Sequence, residues 1–440
     1  MLEVRAGRNR RGAVGESVLT RPFARVDGVL ACEGVPLSTI ADAFGTPSYV
    51  YSAGAVREQY ARLATVLDGV PFRIHYSLKA NSCGAILRVL RSLGTGAEVV
   101  SGGELFRAQR AGFPASDIIF GGVGKTEREI AQGLDAGILL LNVESDAELR
   151  LIDRLARERG VVAPVAIRVN PEISVETPHS YIRTGEKGHK FGIPYDEVRE
   201  VARLARSLSN VSLRGLDMHV GSQLSRLDAY RHGIERVLHL LDEVRADGAT
   251  DLRYLDIGGG LAVTYDAEEP TDLERFSEIV VPAVRSTGLQ LIVEPGRFMV
   301  GNAGVLLSRV LYRKRSGGKE LVIVDAGMTD LLRPSHYNAY HRIEAVGTMD
   351  GRTRVDVVGP VCESGDFLAL DRELEDLRPG DLVAVHSAGA YGYVMASNYN
   401  TRPKPAEVLV DGDRYALVTE RETYEHLVSR EVVEPDWRSE

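Results

Sequence analysis

The sequence predicts a (β/α)8 barrel followed by a second domain of β-strands, a sandwich or small barrel. Three observations lead there. From about residue 70, short apolar runs alternate with longer amphipathic ones, eight runs in all. After about residue 303 the period changes, and strand-like stretches follow one another with little helix between them. The polar, glycine-rich clusters of the first part stand just after its strand-like runs, where barrel enzymes build their sites.

In chain order, residues 1–17 carry Arg5, Arg8, Arg10 and Arg11 with no apolar stretch behind them. That pattern reads as a disordered extension, not a secretory signal. Residues 18–44 hold strand-like stretches expected to join the β domain. The barrel is assigned to 45–302, with strands over Phe72–Ser77, Ala97–Val100, Ile118–Phe120, Ile138–Asn142, Val165–Val169, Leu213–His219, Tyr254–Ile257 and Leu289–Val293. Helical patterns lie between them, as in Ser145–Arg159, where Leu149, Ile152 and Leu155 share a face. The β domain is assigned to 303–440, with strands over Val305–Leu311, Leu321–Val324, Arg354–Val358, Leu382–Val385, Ala406–Val410 and Tyr415–Val418. Asp350-Gly351 and Asp411-Gly412 are hairpin signals.

Composition narrows the class. The 440 residues are 44% hydrophobic and 26% charged, as in a globular protein with a large core. A formal charge of −9 with interspersed signs argues against nucleic acid or an anionic membrane as partner. No apolar run reaches the length of a bilayer span. Cys32, Cys83 and Cys362 are too few and too scattered for a disulfide framework or a zinc site, so no metal is expected and a reducing cytoplasm fits.

Chemistry enters at Lys79, which closes the run Phe72–Leu78. A lysine held among apolar groups has its amine pKa lowered and attacks aldehydes, so it can hold pyridoxal 5′-phosphate as a Schiff base. That cofactor also needs an anion site, a ring platform and a partner for its pyridine nitrogen. Gly258, Gly259 and Gly260 follow a strand and let backbone N–H groups approach a phosphate. Ser222 can add a hydroxyl, His219 can lie against the ring, and Glu294 can keep the nitrogen cationic. Each has a plainer alternative: the glycines as a tight turn, the histidine as a structural residue, Glu294-Pro295-Gly296 as a turn. Gly121–Thr126 looks like a P-loop, but Ile119 stands where that motif requires its first glycine, so nucleotide binding is rejected.

Taken together, His75–Asn81, His219–Gln223, Asp256–Gly260 and Glu294–Arg297 resemble the fold-type III pyridoxal-phosphate decarboxylases. The β domain adds Cys362–Asp366, Gly389–Gly392, Arg333–Tyr337 and Ser397–Pro403, and the resemblance covers roughly residues 20 to 428. It implies a cofactor-binding barrel with a C-terminal β domain, paired as a homodimer with shared active sites. It implies Lys79 as the Schiff-base lysine, Glu294 on the pyridine nitrogen and His219 on the ring. Ser222, Gly258 to Gly260, Gly296, Arg297 and Tyr391 would surround the phosphate and nearby substrate atoms. Cys362 would donate the proton and Glu363 would meet the substrate ammonium, both reaching the neighbouring subunit's barrel.

Substrate choice follows from charge. Arg297 and Arg333 can bind a carboxylate through paired N–H donors, and Tyr337 can add a hydroxyl. A substrate with an amino-acid head at both ends satisfies them, and meso-2,6-diaminopimelate, decarboxylated to L-lysine and CO2, is the expected one. A diamine-forming enzyme for ornithine or lysine would leave both arginines facing an amine. Arginine, carboxynorspermidine, a secondary-metabolite substrate and an inactive regulatory role remain as alternatives. Arg183, where relatives carry a smaller residue, would favour a larger acidic substrate if it faces the pocket.

Overall fold

The computed structural model describes residues 22–173 and 188–438. The arginine-rich segment 1–17 and the loop bearing Arg183 lie outside the described residues.

All eight barrel strands are present: Phe72–Ser77, Gly96–Val99, Ile118–Phe120, Leu140–Val143, Ala163–Asn170, Val211–Met218, Tyr254–Asp256 and Gln290–Val293. Each pairs in parallel with the next, and Leu291 and Val293 of the eighth pair with Phe72 and Ile74 of the first, closing the barrel. Ile119, Leu140, Ala166 and Ile292 form a small buried cluster separate from the main core, as a packed barrel interior requires. The main core lies between strands and outer helices. Helix Asp146–Arg159 buries Leu149, Ile152 and Leu155; Ser145 caps it by accepting the Glu148 N–H, and Gly160 ends it at φ 65°.

The second domain is a seven-strand path ordered Phe367–Glu375, Arg352–Val358, Lys319–Val324, Gly304–Ser316, Ser48–Ser52, Ala406–Asp411 and Arg414–Thr419. Leu382–Val385 also pairs with Gly304–Ser316 and carries Ile343–Ala345 on its other side. Four features depart from the sequence expectation. Ser48–Ser52, counted with the barrel, lies in this second sheet, parallel to Ala406–Asp411 and antiparallel to Gly304–Ser316. Residues Phe23–Pro36 form their own three-stranded sheet, held to the β domain by the Leu30 N–H to the Val346 carbonyl and by a shared core of Phe23, Leu30, Val50 and Val305. Asp350-Gly351 does not close a hairpin: the strands it joins, Ile343–Ala345 and Arg352–Val358, pair with different partners. Gly317-Gly318, both at positive φ, makes a hairpin instead, because mirror-image turns match the strand twist. Asp411-Gly412 does close its hairpin. Phe367–Glu375 was not expected as a strand, since its charged second half hides the period of two. Among the described residues no helix is long and apolar enough to cross a membrane.

Candidate active site

The C-terminal ends of the barrel strands deliver the polar groups. Lys79 sits in the turn Leu78–Ala80, Glu98 on the second strand, Asn142 on the fourth and Arg168 on the fifth. Asp217 lies near the end of the sixth and His219 directly follows it, Asp256 ends the seventh, and Glu294 follows the eighth. Above them a cavity of ≈ 790 Å³ is lined by Lys79, Arg168, His219, Ser222, Tyr265, Arg297, Arg333, Tyr337 and Tyr391. A niche of ≈ 40 Å³ adjoins it, between Ser222, Gly260, Glu294, Gly296 and Tyr391.

Lys79 Nζ lies 3.1 Å from Glu98 Oε2, and 40% of its side chain faces the cavity. Here the sequence expectation is corrected. Burial alone would lower the amine pKa, but Glu98 in the first place, then Tyr391 and Glu294, outweigh it and hold Lys79 above the ordinary lysine range. Lys79 and Glu98 thus stand as an ion pair beside the cavity.

The acidic end is built from three buried carboxylates. One oxygen each of Asp217, Asp256 and Glu294 lies within 4.8 Å of the others. Among the described residues, Asp217 Oδ1, Asp256 Oδ2 and Glu294 Oε1 have no hydrogen-bond partner. Burial pushes Glu294 well above the usual carboxylate range, and Asp256 beside it adds to the shift. Burial likewise lifts Asp256 to about 6. Such a cluster needs a proton or a cationic donor among its oxygens. A protonated pyridine nitrogen supplies both charge and N–H, so these residues fit that end of the cofactor.

Packed against this cluster, with the Gly258 N–H donating to Asp256 Oδ1 at 2.8 Å, is a cradle that admits no side chain. A Cβ on Gly258, at φ 68°, would stand 2.6 Å from His219 Nδ1. On Gly259 it would meet the Glu294 carbonyl oxygen at 2.2 Å, and on Gly260 the Gly221 carbonyl oxygen at 2.3 Å. Backbone packed this closely can bring N–H groups to a phosphate. Gly296 is tight for the same reason, its added Cβ lying 3.0 Å from that of Ala80. His219 Nδ1 accepts the Gly259 N–H at 3.2 Å. Burial, reinforced by Arg168 and Lys79, holds this imidazole well below its ordinary pKa. A neutral ring is what stacking on an aromatic cofactor calls for.

Arg297 and Arg333 stand at the outer side, each 7% exposed. Arg297 donates to Tyr265 Oη at 2.6 Å and to Ser222 Oγ at 3.2 Å, and it lies over the Tyr391 ring at 4.7 Å. Arg333 lies over the Tyr265 ring at 4.6 Å. Cys362 and Glu363 do not join the group. Both are exposed on the segment leading into Phe367–Glu375, and neither lines this chain's cavity. Sequence reasoning passed over Glu98, Asn142, Arg168, Asp217, Tyr265 and His341. Glu98 and Asn142 share a legible signal: one polar residue near the end of an otherwise apolar barrel strand.

Against known proteins, residues 53–301 match the family model described as pyridoxal-dependent decarboxylase, pyridoxal binding domain. The diaminopimelate decarboxylase of Pseudomonas aeruginosa is 46% identical over 414 residues, 94% of this chain and 99% of that protein. That of Aquifex aeolicus is 43% identical over 407 residues, 91% of this chain and 95% of its own. The crystal structure of diaminopimelate decarboxylase from Helicobacter pylori complexed with L-lysine aligns at a TM-score of 0.86 and 39% identity, covering 89% of this chain and 98% of that one.

Proposed function

Since the chain belongs to the pyridoxal-dependent decarboxylases, on the diaminopimelate decarboxylase branch, we propose how its residues carry that reaction. The reaction is loss of CO2 from meso-2,6-diaminopimelate to leave L-lysine, the last step of lysine biosynthesis, and the cofactor is pyridoxal 5′-phosphate. Lys79 would hold the cofactor's aldehyde carbon. Glu294, backed by Asp256, would meet the pyridine nitrogen. His219 would lie against the ring, and Ser222, Gly258 to Gly260, Gly296, Arg297 and Tyr391 would hold the phosphate side. Bound there, the cofactor supplies the electron sink for the pair left behind by the departing carboxylate.

The remaining steps belong to side chains. Glu98 pairs with the Lys79 ammonium and fixes its position beside the cavity. Arg333 and Tyr337 hold the substrate's distal carboxylate, so that the other carboxylate is the one presented for cleavage. Cys362 and Glu363 act in the neighbouring subunit's cavity, the thiol returning a proton to the carbon and the carboxylate meeting the distal ammonium. Both residues are exposed and neither lines its own chain's cavity, which supports a homodimer with shared sites. The cytoplasm, where the cysteines stay reduced, is the compartment this reading places it in.

One observation carries the substrate assignment: two buried arginines share the cavity with Lys79, and among the described residues no carboxylate pairs with either. They require anions from the ligands, one the phosphate and the other the distal carboxylate. The test is a mass-spectrometric assay of the holoenzyme on meso-diaminopimelate, ornithine, lysine, arginine and carboxynorspermidine. Turnover of diaminopimelate alone is expected. Faster turnover of any diamine precursor would overturn the assignment.

A further inference from the structure

We propose that His341 is a positioning residue for substrate specificity: it fixes Arg333 as a neutral hydrogen-bond acceptor and so leaves the guanidinium charge for the substrate's distal carboxylate. The inference rests on the reading of Arg333 as the carboxylate contact and goes one shell beyond it.

The hydrogen bonds determine the tautomer. His341 is fully buried, with Nδ1 2.8 Å from the His386 carbonyl oxygen and Nε2 3.1 Å from Arg333 NH1. A carbonyl can only accept, so Nδ1 carries the hydrogen; a guanidinium can only donate, so Nε2 offers its lone pair. Both contacts demand the same neutral ring. Burial, with Arg333 as its nearest positive neighbour, pulls the imidazole down to about 3, so the ring stays neutral wherever the fold survives. Tyr265 completes the mount, its ring edge-on to His341 at 5.4 Å and beneath the Arg333 guanidinium at 4.6 Å.

The choice of acceptor matters because the pair is desolvated. A carboxylate at position 341 would hold Arg333 at least as firmly but would cancel its charge, and an incoming carboxylate would then meet a neutral pair. The nearby carboxylate is engaged elsewhere: Glu344 Oε1 lies 2.7 Å from His386 Nε2 and 2.9 Å from Arg342 NH2. Negative charge is thus kept one residue further out than Arg333.

The experiment compares full-length holoenzyme of wild type, His341→Gln, His341→Glu, His341→Leu and Arg333→Leu. Steady-state constants for diaminopimelate and the Ki of L-lysine, which keeps the distal carboxylate, are measured alongside inhibition by cadaverine, which has neither carboxylate. His341→Glu should raise the KM for diaminopimelate and the Ki of lysine by about tenfold or more, with kcat changed much less and the cadaverine Ki unchanged or lower. His341→Gln, which keeps a neutral acceptor, should rescue the KM to within about threefold of wild type. If His341→Glu does not fold, His341→Leu decides, since loss of the acceptor should raise the diaminopimelate KM and spare the cadaverine Ki. Parallel weakening of diaminopimelate and cadaverine, or a wild-type KM in the carboxylate variant, overturns the inference. An unchanged KM in Arg333→Leu overturns instead the reading of Arg333 on which it stands.

Discussion

Lys79 shows how a single side chain can be found from sequence while its state is misjudged. Its apolar run is visible, but Glu98, 19 positions later in the chain, lies 3.1 Å from Nζ and reverses the direction of its pKa shift. Lys79→Ala should lose covalent attachment of the cofactor and nearly all turnover while keeping its fold. Borohydride reduction of cofactor-loaded protein followed by peptide mapping checks this, and an adduct on a different lysine would refute it. Glu104 offers a second test. Burial, with Glu98 adding to it, pushes its carboxyl up to about 7, and its Oε2 accepts the Val100 N–H at 2.8 Å. The unfolded chain releases that proton near the ordinary carboxylate value, about 4.3. Between those values the folded state holds more protons, so this contribution is complete at low pH and disappears as pH rises through about 7. Glu104→Gln should flatten the decline of melting temperature between pH 5 and pH 8, as differential scanning calorimetry would show. Residues on glycine-rich loops, such as His219 and Arg297, were legible because their surroundings advertised a turn at a strand end. Arg168, Asp217 and His341 were not, since which way one polar side chain points depends on the barrel's closure.

Among the elements, the loop Gly258–Gly260 is the one whose sequence and purpose agree most closely. Gly259→Ala would drive a methyl group into the Glu294 carbonyl, displacing cradle and acid together. A loss of cofactor affinity of about tenfold or more is expected, beyond a fall in stability of about 1–3 kcal/mol. Absorbance titration of the apoprotein with pyridoxal phosphate measures the first and urea unfolding the second; an unaltered affinity would remove the cradle from the site. The eight barrel strands were legible because period, length and spacing all agreed. The β domain was less so. Ser48–Ser52 is buried throughout and reads locally like a barrel strand; its partners, Gly304–Ser316 and Ala406–Asp411, lie more than 250 residues away. No local pattern encodes such a pairing.

At the scale of the whole molecule, we propose that two chains share each site, each lending its Cys362 to the other's Lys79. Lys79→Ala and Cys362→Ala proteins should each be nearly inactive alone. Mixed in equal amounts and allowed to exchange, they form about half heterodimers with one intact site apiece, so about a quarter of wild-type activity should return. Native mass spectrometry of differently tagged chains establishes the exchange. Heterodimers that form without recovered turnover would place the whole site within one chain.

The path of the chain gives the barrel an unusual attachment. It leaves the second sheet at Ser52 and re-enters it at Gly304, where Gly304 pairs with Tyr51. The barrel is thus an insertion between two hydrogen-bonded neighbours of one ladder, both its ends leaving from the same point. A domain hung by one linker can swing; one gripped at both ends in a single ladder cannot pivot without tearing that ladder. Arg333, from the sheet side, and Lys79, from the barrel side, therefore keep their separation without a hinge. A protease nick in an exposed barrel loop would sever the chain yet leave both fragments clasped in the same sheet.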